Sequence, residues 1–278
     1  MEIRNVIAIL AANQIIDSEP VEIKPLSGGT VSELYLLWLT DGSRVVVKSN
    51  DPQINKAEGD FLRFYRDIQR LPRLLYVDPN DQYIVYSFVE GSVGYDGTDK
   101  QEWLTILVRD VINQYRPAPD EAWWGWADEP VNTWKAFLLQ RVMEAGEMLK
   151  SHLGEDDFNR VLDAIQQLEV HTPYLLHGDF GVHNFIFYEG KLTGLIDPTP
   201  VFGDPLYDLL YAIFSSPDQL TRQTVETAVH QLNIEEYSVT NLYENILIVL
   251  YLRLSTCLKH HPDDFEDYLG AWEYWKGI

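Results

Sequence analysis

The sequence is short of cysteine, of positive charge and of long apolar runs, and each shortage removes a class of function. Cys257 is the single cysteine, which excludes an intramolecular disulfide and a cysteine-rich metal knuckle. It lies in the helix-like run ENILIVLYLRLSTCL, where a buried, inert thiol is expected. Bases number 21 against 43 acids, a formal net charge of -22. That field has the wrong sign for nonspecific nucleic-acid binding and is repelled by an anionic membrane surface. It is compatible with a cationic small substrate, although a solvated acidic surface accounts for it equally. The apolar run at 246–252 falls far short of the ~20 residues that span a bilayer. The stretch VIAILAA at 6–12 follows Glu2 and precedes Asp17, Glu19 and Glu22, so it lacks the basic leader of a secretory signal. These absences predict a soluble, cytoplasmic protein. No internal repeat, low-complexity segment or coiled coil is evident.

What is present is enough to fold. The chain has 278 residues, 46% hydrophobic and 13% aromatic, sufficient for one large domain or two lobes with a sizeable core. The first third reads as strands with one helix. VEIKPL (21–26), VSELYLLWL (31–39) and SRVVVKSN (43–50) are β-rich, and the last two are joined by Thr40-Asp41-Gly42 in a hairpin pattern. Residues 53–68 place Ala57, Phe61, Phe64 and Ile68 at helical spacing. RLLYVD and QYIVYSFVE give a second strand pair around Pro79-Asn80-Asp81. GSVGYDGTDK (91–100) breaks the pattern, so the predicted organisation is a lobe of residues 1–90 followed by a helical lobe of 91–278. Helices are expected at 101–114, from an Asn132 cap to about Gly154, at 156–169, at 217–232 behind a Ser216 cap, at 239–259 and at 263–275.

One polar strand-and-turn region, 174–197, interrupts the helical lobe. LLHGDFGVHNFIF (175–187) packs His177, Asp179, His183 and Asn184 between bulky apolar residues. A hairpin of 185–188 and 192–196 turning at Glu189-Gly190 would bring Asn184 and Asp197 to one end. An amide carbonyl and a carboxylate are hard ligands suited to Mg²⁺, which keeps its other positions for water and phosphate oxygens. Asp179 on the preceding loop could then orient a hydroxyl and accept its proton, a constellation fitted to phosphoryl transfer. Two blander readings stand beside it: a zinc site of His177, Asp179 and His183, and plain polar caps on turns between buried strands. In the first lobe, Ser27-Gly28-Gly29-Thr30 between strands could present amides to phosphates, though such a pair of glycines also suits an ordinary turn. Lys48 ends an apolar strand and could extend its ammonium from a buried stem. Glu58 on the next helix could pair with it or be a surface residue.

Taken together, these motifs resemble the aminoglycoside phosphotransferase/choline kinase family, whose fold is similar to that of protein kinases. The resemblance runs from about residue 21 to 215. H177-G-D179-F-G-V-H-N184 is similar to the family's catalytic loop, GLIDP (194–198) to its metal-binding segment and FGDPLYDLLYA (202–212) to the segment that follows. The resemblance implies an α+β, two-lobed kinase-like fold with a small β-rich first lobe and a larger helical second lobe. It implies Asp179 as the catalytic aspartate, Asn184 and Asp197 as Mg²⁺ ligands, and Lys48, held by Glu58, on the α/β-phosphates of ATP, with GTP not excluded. Ser27, Gly28, Gly29 and Thr30 would form a shortened glycine-rich loop, and backbone groups of Ser87, Phe88 and Val89 would meet the adenine edge. Asp204 and Asp208 would brace the catalytic loop, with His177 buried behind it and His183 a bystander. The acceptor would be a small hydroxyl compound: an aminoglycoside, choline, an amino acid or a sugar. EAWWGWADEPVNTW (121–134) offers aromatic faces and carboxylates to an amine-bearing ligand, or packs as core. The competing functions are a protein kinase, for which no extended activation segment is evident between Asp197 and Gly203, and a catalytically silent kinase-like binding protein, which would have no need of Lys48, Asp179, Asn184 and Asp197 together.

Overall fold

The structure is a computed structural model and describes residues 2–26, 32–95, 99–118, 123–169, 172–234 and 238–278. The loop Ser27–Thr30 lies outside the described residues. The chain forms a β-rich first lobe and a helical second lobe, the two-lobed α+β kinase-like arrangement.

Helix α1 (Ile3–Ala12) precedes β1 (Glu22–Leu26), β2 (Glu33–Trp38) and β3 (Arg44–Ser49), then α2 (Pro52–Phe64), β4 (Leu74–Val77) and β5 (Ile84–Ser87). The strands form an antiparallel sheet in the order β1-β2-β3-β5-β4. Side chains alternate along β3, so Val45 and Val47 point to one face and Val46 and Lys48 to the other. Both faces are covered. Val6, Ile7 and Leu10 of α1 pack with Leu37, Val45, Val47 and Val85 on the outer face, which is why the apolar stretch near the N-terminus exists. Phe61 and Leu62 of α2 pack with Leu34, Leu36, Val46, Ile84 and Tyr86 on the inner one. VVVK therefore reads as a continuous apolar run, and its period of two places Lys48 on the face towards the second lobe. Asp51 caps α2 by accepting from Gln53 N–H at 3.0 Å, with Pro52 in the first turn.

Strand β6 (Ser92–Val93) pairs with the second lobe's β10 (Phe185–Tyr188), which pairs in turn with β11 (Lys191–Leu195). Gly91 permits this close approach: its φ is +128°, and a Cβ would lie 2.4 Å from the Phe187 carbonyl oxygen. Glu189 and Gly190 both have positive φ, 50° and 72°, the backbone that a two-residue hairpin needs. The remaining elements are α3 (Lys100–Asp110), β7 (Trp124–Trp126), β8 (Pro130–Val131), α4 (Trp134–Leu149), α5 (Glu155–Gln167), β9 (Tyr174–Leu176), β12 (Val201–Gly203), α6 (Pro205–Ile213), α7 (Arg222–Val229), α8 (Val239–His260) and α9 (Phe265–Trp275). A small sheet of order β8-β7-β12-β9 carries the chain into the polar region, and α8 packs on α4, α5, α6 and α9.

Two expected helix starts move. Thr133, not Asn132, caps α4, accepting from Ala136 N–H at 3.1 Å. The helix expected from residue 217 begins at Arg222, behind a Thr221 cap. Residues 216–218 are diverted because the Lys100 ammonium donates to the Ser216 carbonyl at 3.2 Å, to Ser216 Oγ at 3.0 Å and to the Asp218 carbonyl at 2.7 Å.

Candidate active site

Strand β9 delivers the chain to His177, and the loop that follows is tied down at both ends. Asp208, in the first turn of α6, accepts from the His177 and Gly178 amides at 2.8 and 3.1 Å and from the Tyr115 hydroxyl at 2.7 Å. Asp204 caps the same helix by accepting from Leu206 N–H at 2.9 Å. Gly178 has φ +81°, and a Cβ there would lie 1.9 Å from the Thr199 carbonyl oxygen, so only glycine lets the two segments meet. Burial pushes the Asp208 carboxyl up to about 7, against the pull of its three donors.

His177 is fully buried, edge-on to Phe61 and Phe180, and its Nε2 lies 3.1 Å from the Ile196 carbonyl oxygen. Burial holds its pKa down to about 4, so the ring is neutral at neutral pH and bridges the loop to the segment before Asp197. The zinc grouping of His177, Asp179 and His183 is not formed among the described residues. Among the described residues no group of three or more His, Cys, Asp or Glu could hold a metal ion.

Asp179 is partly exposed. Its Oδ2 receives the Asn184 amide at 2.9 Å and lies 3.0 Å from His183 Nε2, and its carbonyl receives a second Asn184 bond at 2.9 Å. Burial raises its pKa, but the contacts with His183, His177 and Asn184 outweigh this and hold it below the usual carboxylate value. Asp179 is therefore ionised, with Oδ1 outside these bonds. The Asn184 amide nitrogen is engaged, which leaves its carbonyl oxygen as the hard donor. Asp197, on the strand-end after β11, adopts φ +56° directly before Pro198, a backbone costly for a non-glycine residue and characteristic of functional sites.

Lys48 reaches across from β3. Its Nζ lies 2.7 Å from Glu58 Oε2 and 3.2 Å from Asp197 Oδ1. Burial pushes the ammonium towards losing its proton, yet the two carboxylates outweigh it and its pKa is raised. Lys48, Glu58 and Asp197 are thus brought together from three separate stretches of sequence, and Asp179 and Asn184 from a fourth. The oxygens of Asn184 and Asp197 suit a hard cation that keeps positions for phosphate.

The segment joining the lobes is partly occupied. The Ser87 N–H donates to the Arg73 carbonyl at 2.9 Å and the Phe88 N–H to the Arg44 carbonyl at 3.0 Å. These two amides are engaged within the fold, while among the described residues the Val89 amide has no backbone partner. His183, expected to be a bystander, touches Asp179. Gly181 makes room for it, since a Cβ there would lie 2.6 Å from the His183 ring. The tryptophan-rich segment divides. Trp134 is core, stacked on Phe137 at 5.1 Å and edge-on to Tyr207 at 5.4 Å, whereas the Trp126 ring is covered by the Arg141 guanidinium at 5.1 Å.

Fold and site together define a kinase-like phosphotransferase. The profile of the Phosphotransferase enzyme family matches residues 22–243, and the chain belongs to that family. It is similar to a protein named "Probable ketoamine kinase" from Staphylococcus aureus, 26% identical over 217 residues, covering 68% of this chain and 72% of that one. A thermostable mutant of aminoglycoside phosphotransferase APH(4)-Ia in its apo form superimposes with a TM-score of 0.65 at 18% identity, covering 97% of each chain. The macrolide 2'-phosphotransferase MphH of Brachybacterium faecium gives 0.65 at 15% identity, covering 96% of this chain and 97% of that one. No described helix is long and apolar enough to cross a membrane.

Proposed function

We propose that the protein transfers the γ-phosphoryl group of ATP to a hydroxyl of a small molecule in a magnesium-dependent reaction. One observation carries the reading: Lys48 is bonded at once to Glu58 and to Asp197, so the phosphate-binding lysine and a metal-binding carboxylate are aligned across the cleft. The nucleotide lies between the lobes, its base edge towards Val89 and its phosphates against Lys48. Asn184 and Asp197 hold magnesium, which when bound neutralises charge on the transferred phosphoryl group. Asp179 Oδ1 accepts the acceptor hydroxyl's hydrogen bond, aims its oxygen in line and takes its proton as the new P–O bond forms. Asn184 and His183, gathered on Oδ2, keep Oδ1 turned outwards. The relatives' names supply ketoamines, aminoglycosides and macrolides as acceptors to try first, with ATP and GTP compared as donors.

The test is nucleoside diphosphate release over that acceptor panel for the parent and Asp179→Asn. Acceptor-dependent release should fall by roughly 10²–10⁴-fold, with nucleotide affinity retained. Parental turnover by the variant would remove Asp179 from the chemistry.

A further inference from the structure

The acidic composition and the tryptophan-rich segment point towards a cationic acceptor, but two guanidiniums stand beside the catalytic loop as well. Trp126 stands at the end of β7, paired with Val201 of β12. The Ala127 amide donates to the Pro200 carbonyl at 2.9 Å, and the Thr199 amide to the His177 carbonyl at 2.9 Å, so this corner is laced directly to the catalytic loop. Arg141 of α4 lies over it. Its guanidinium covers the Trp126 ring and donates to the Tyr207 hydroxyl at 2.8 Å. Tyr207 and Tyr211 flank Asp208 on α6 with ring centroids 6.1 Å apart. The Tyr211 hydroxyl, raised in pKa first by burial, feels the charges of Asp179, Arg141 and Arg253 together. Arg253 approaches from α8. It donates to the Ser215 carbonyl at 3.2 Å, and Ser215 Oγ accepts from the Val182 amide of the catalytic loop at 3.1 Å.

Among the described residues neither guanidinium has a carboxylate partner. Arg70, Arg109 and Arg222 have carboxylates at 2.9, 2.6 and 2.6 Å, as a chain with 43 acids and 21 bases would lead one to expect. Among the described residues, Arg141 and Arg253 have no carboxylate within ion-pair distance; both lie on aromatic rings instead. Arg253 is 7% exposed and its Nε is buried without a partner. A desolvated, unpaired guanidinium is costly unless an anion completes it. The Trp126 face is meanwhile already taken by Arg141.

We infer that the acceptor is a hydroxyl compound bearing an anionic group, carboxylate or phosphate, whose oxygens dock on Arg141 with Arg253 reinforcing the field, while its hydroxyl meets Asp179. The inference rests on the phosphotransfer reading for the hydroxyl and on the arginines for the charge. It fixes only the group that meets Arg141, and an amine elsewhere on the acceptor is compatible with it.

A charge-matched set tests it: glucose, gluconate, glucose 6-phosphate and glucosamine, measured by calorimetric binding and by nucleoside diphosphate release. Gluconate or glucose 6-phosphate should bind at least tenfold more tightly than glucose and glucosamine, and which of the two leads separates a carboxylate site from a phosphate site. Arg141→Gln should erase the preference, with any transfer losing through KM more than through kcat. Arg141→Lys, which keeps the charge but not the fork, should retain part of it and shows that the Gln variant's loss is not misfolding. Equal or weaker binding of both anions than of glucose overturns the inference, as does an anion preference that survives in Arg141→Gln. Failure of the phosphotransfer reading looks different: the anions bind through Arg141, yet ATP is not turned over with any acceptor.

Discussion

Among the described residues two lysines are buried, Lys48 and Lys100, and they are held in opposite ways. Lys48 sits in the cleft between two carboxylates, Glu58 at 2.7 Å and Asp197 at 3.2 Å. Lys100 sits at the start of α3 with no exposed surface, its ammonium satisfied by two carbonyls and a hydroxyl; the nearest carboxylate oxygen of Asp218 is 3.9 Å away. Burial pushes both towards neutrality. At Lys48 the carboxylates outweigh it and the pKa is raised, whereas at Lys100 burial wins and the pKa falls to about 8. The difference separates function from architecture. Lys48 is a fixed positive charge whose Asp197 contact faces the cleft and can be shared with an incoming phosphate. Lys100 has spent its donors on the turn at 216–218 and has none left to offer a substrate.

The largest expected consequence lies in turnover. Lys48→Met removes the charge that would meet the phosphates in the proposed reaction and should lower kcat/KM by roughly 10²–10³-fold, the scale of losing one preorganised electrostatic group. Lys100→Met should leave kcat/KM within about twofold. Its effect belongs in stability: the Ser216 and Asp218 carbonyls lose their donor inside the protein, a loss of about 3 kcal/mol in urea unfolding. Comparable loss of turnover in both variants would break the distinction, and so would a Lys100→Met protein as stable as its parent.

Much of the site on the Lys48 side was legible in the sequence, because the order Lys48, Glu58, Asp179, Asn184, Asp197 and the apolar strand ending in Lys48 are one-dimensional features. Strand periodicity alone puts Lys48 on the same face as Val46. Glu58 required only that α2 cross that face. The Lys100 side was not legible. A lysine beginning a helix is ordinarily exposed, and Ser216-Pro217-Asp218 has the composition of a helix start; only the contact between α3 and that turn, more than a hundred positions apart, converts one into a buried cation and the other into its cage. The same holds for His183. Its place in the loop marked it as a bystander or a zinc ligand, and only the backbone at Gly181 sets it against Asp179. It also holds for Arg141, whose sequence neighbourhood reads as an ordinary amphipathic helix and whose role depends on β7 coming to lie beneath it. Ser87 and Phe88 were legible as part of the segment joining the lobes, but only the fold shows that their amides bond to the Arg73 and Arg44 carbonyls.

The smallest effect is the sharpest discriminator, because it depends on the sign of each lysine's shift and on nothing else. An unfolded lysine titrates near 10.5. Folded Lys100, at about 8, has given up its proton by pH 9 while the unfolded chain still holds it. The unfolded state then binds more protons, so stability rises with pH, by about 1 kcal/mol between pH 7 and 9. Lys48, shifted upwards, keeps its proton in both states over this range and contributes no slope; its stabilisation is lost only as pH rises past its unfolded value. Urea unfolding of the parent and of each Lys→Met variant at pH 7 and pH 9 isolates the two terms, since tyrosines and Cys257 titrate alike in all three proteins. The stability gap between parent and Lys100→Met should widen by about 1 kcal/mol, and that between parent and Lys48→Met should stay constant. A widening gap for Lys48, or a constant one for Lys100, would show that the charges inside the cleft and inside the helical lobe are balanced differently from the way their partners indicate.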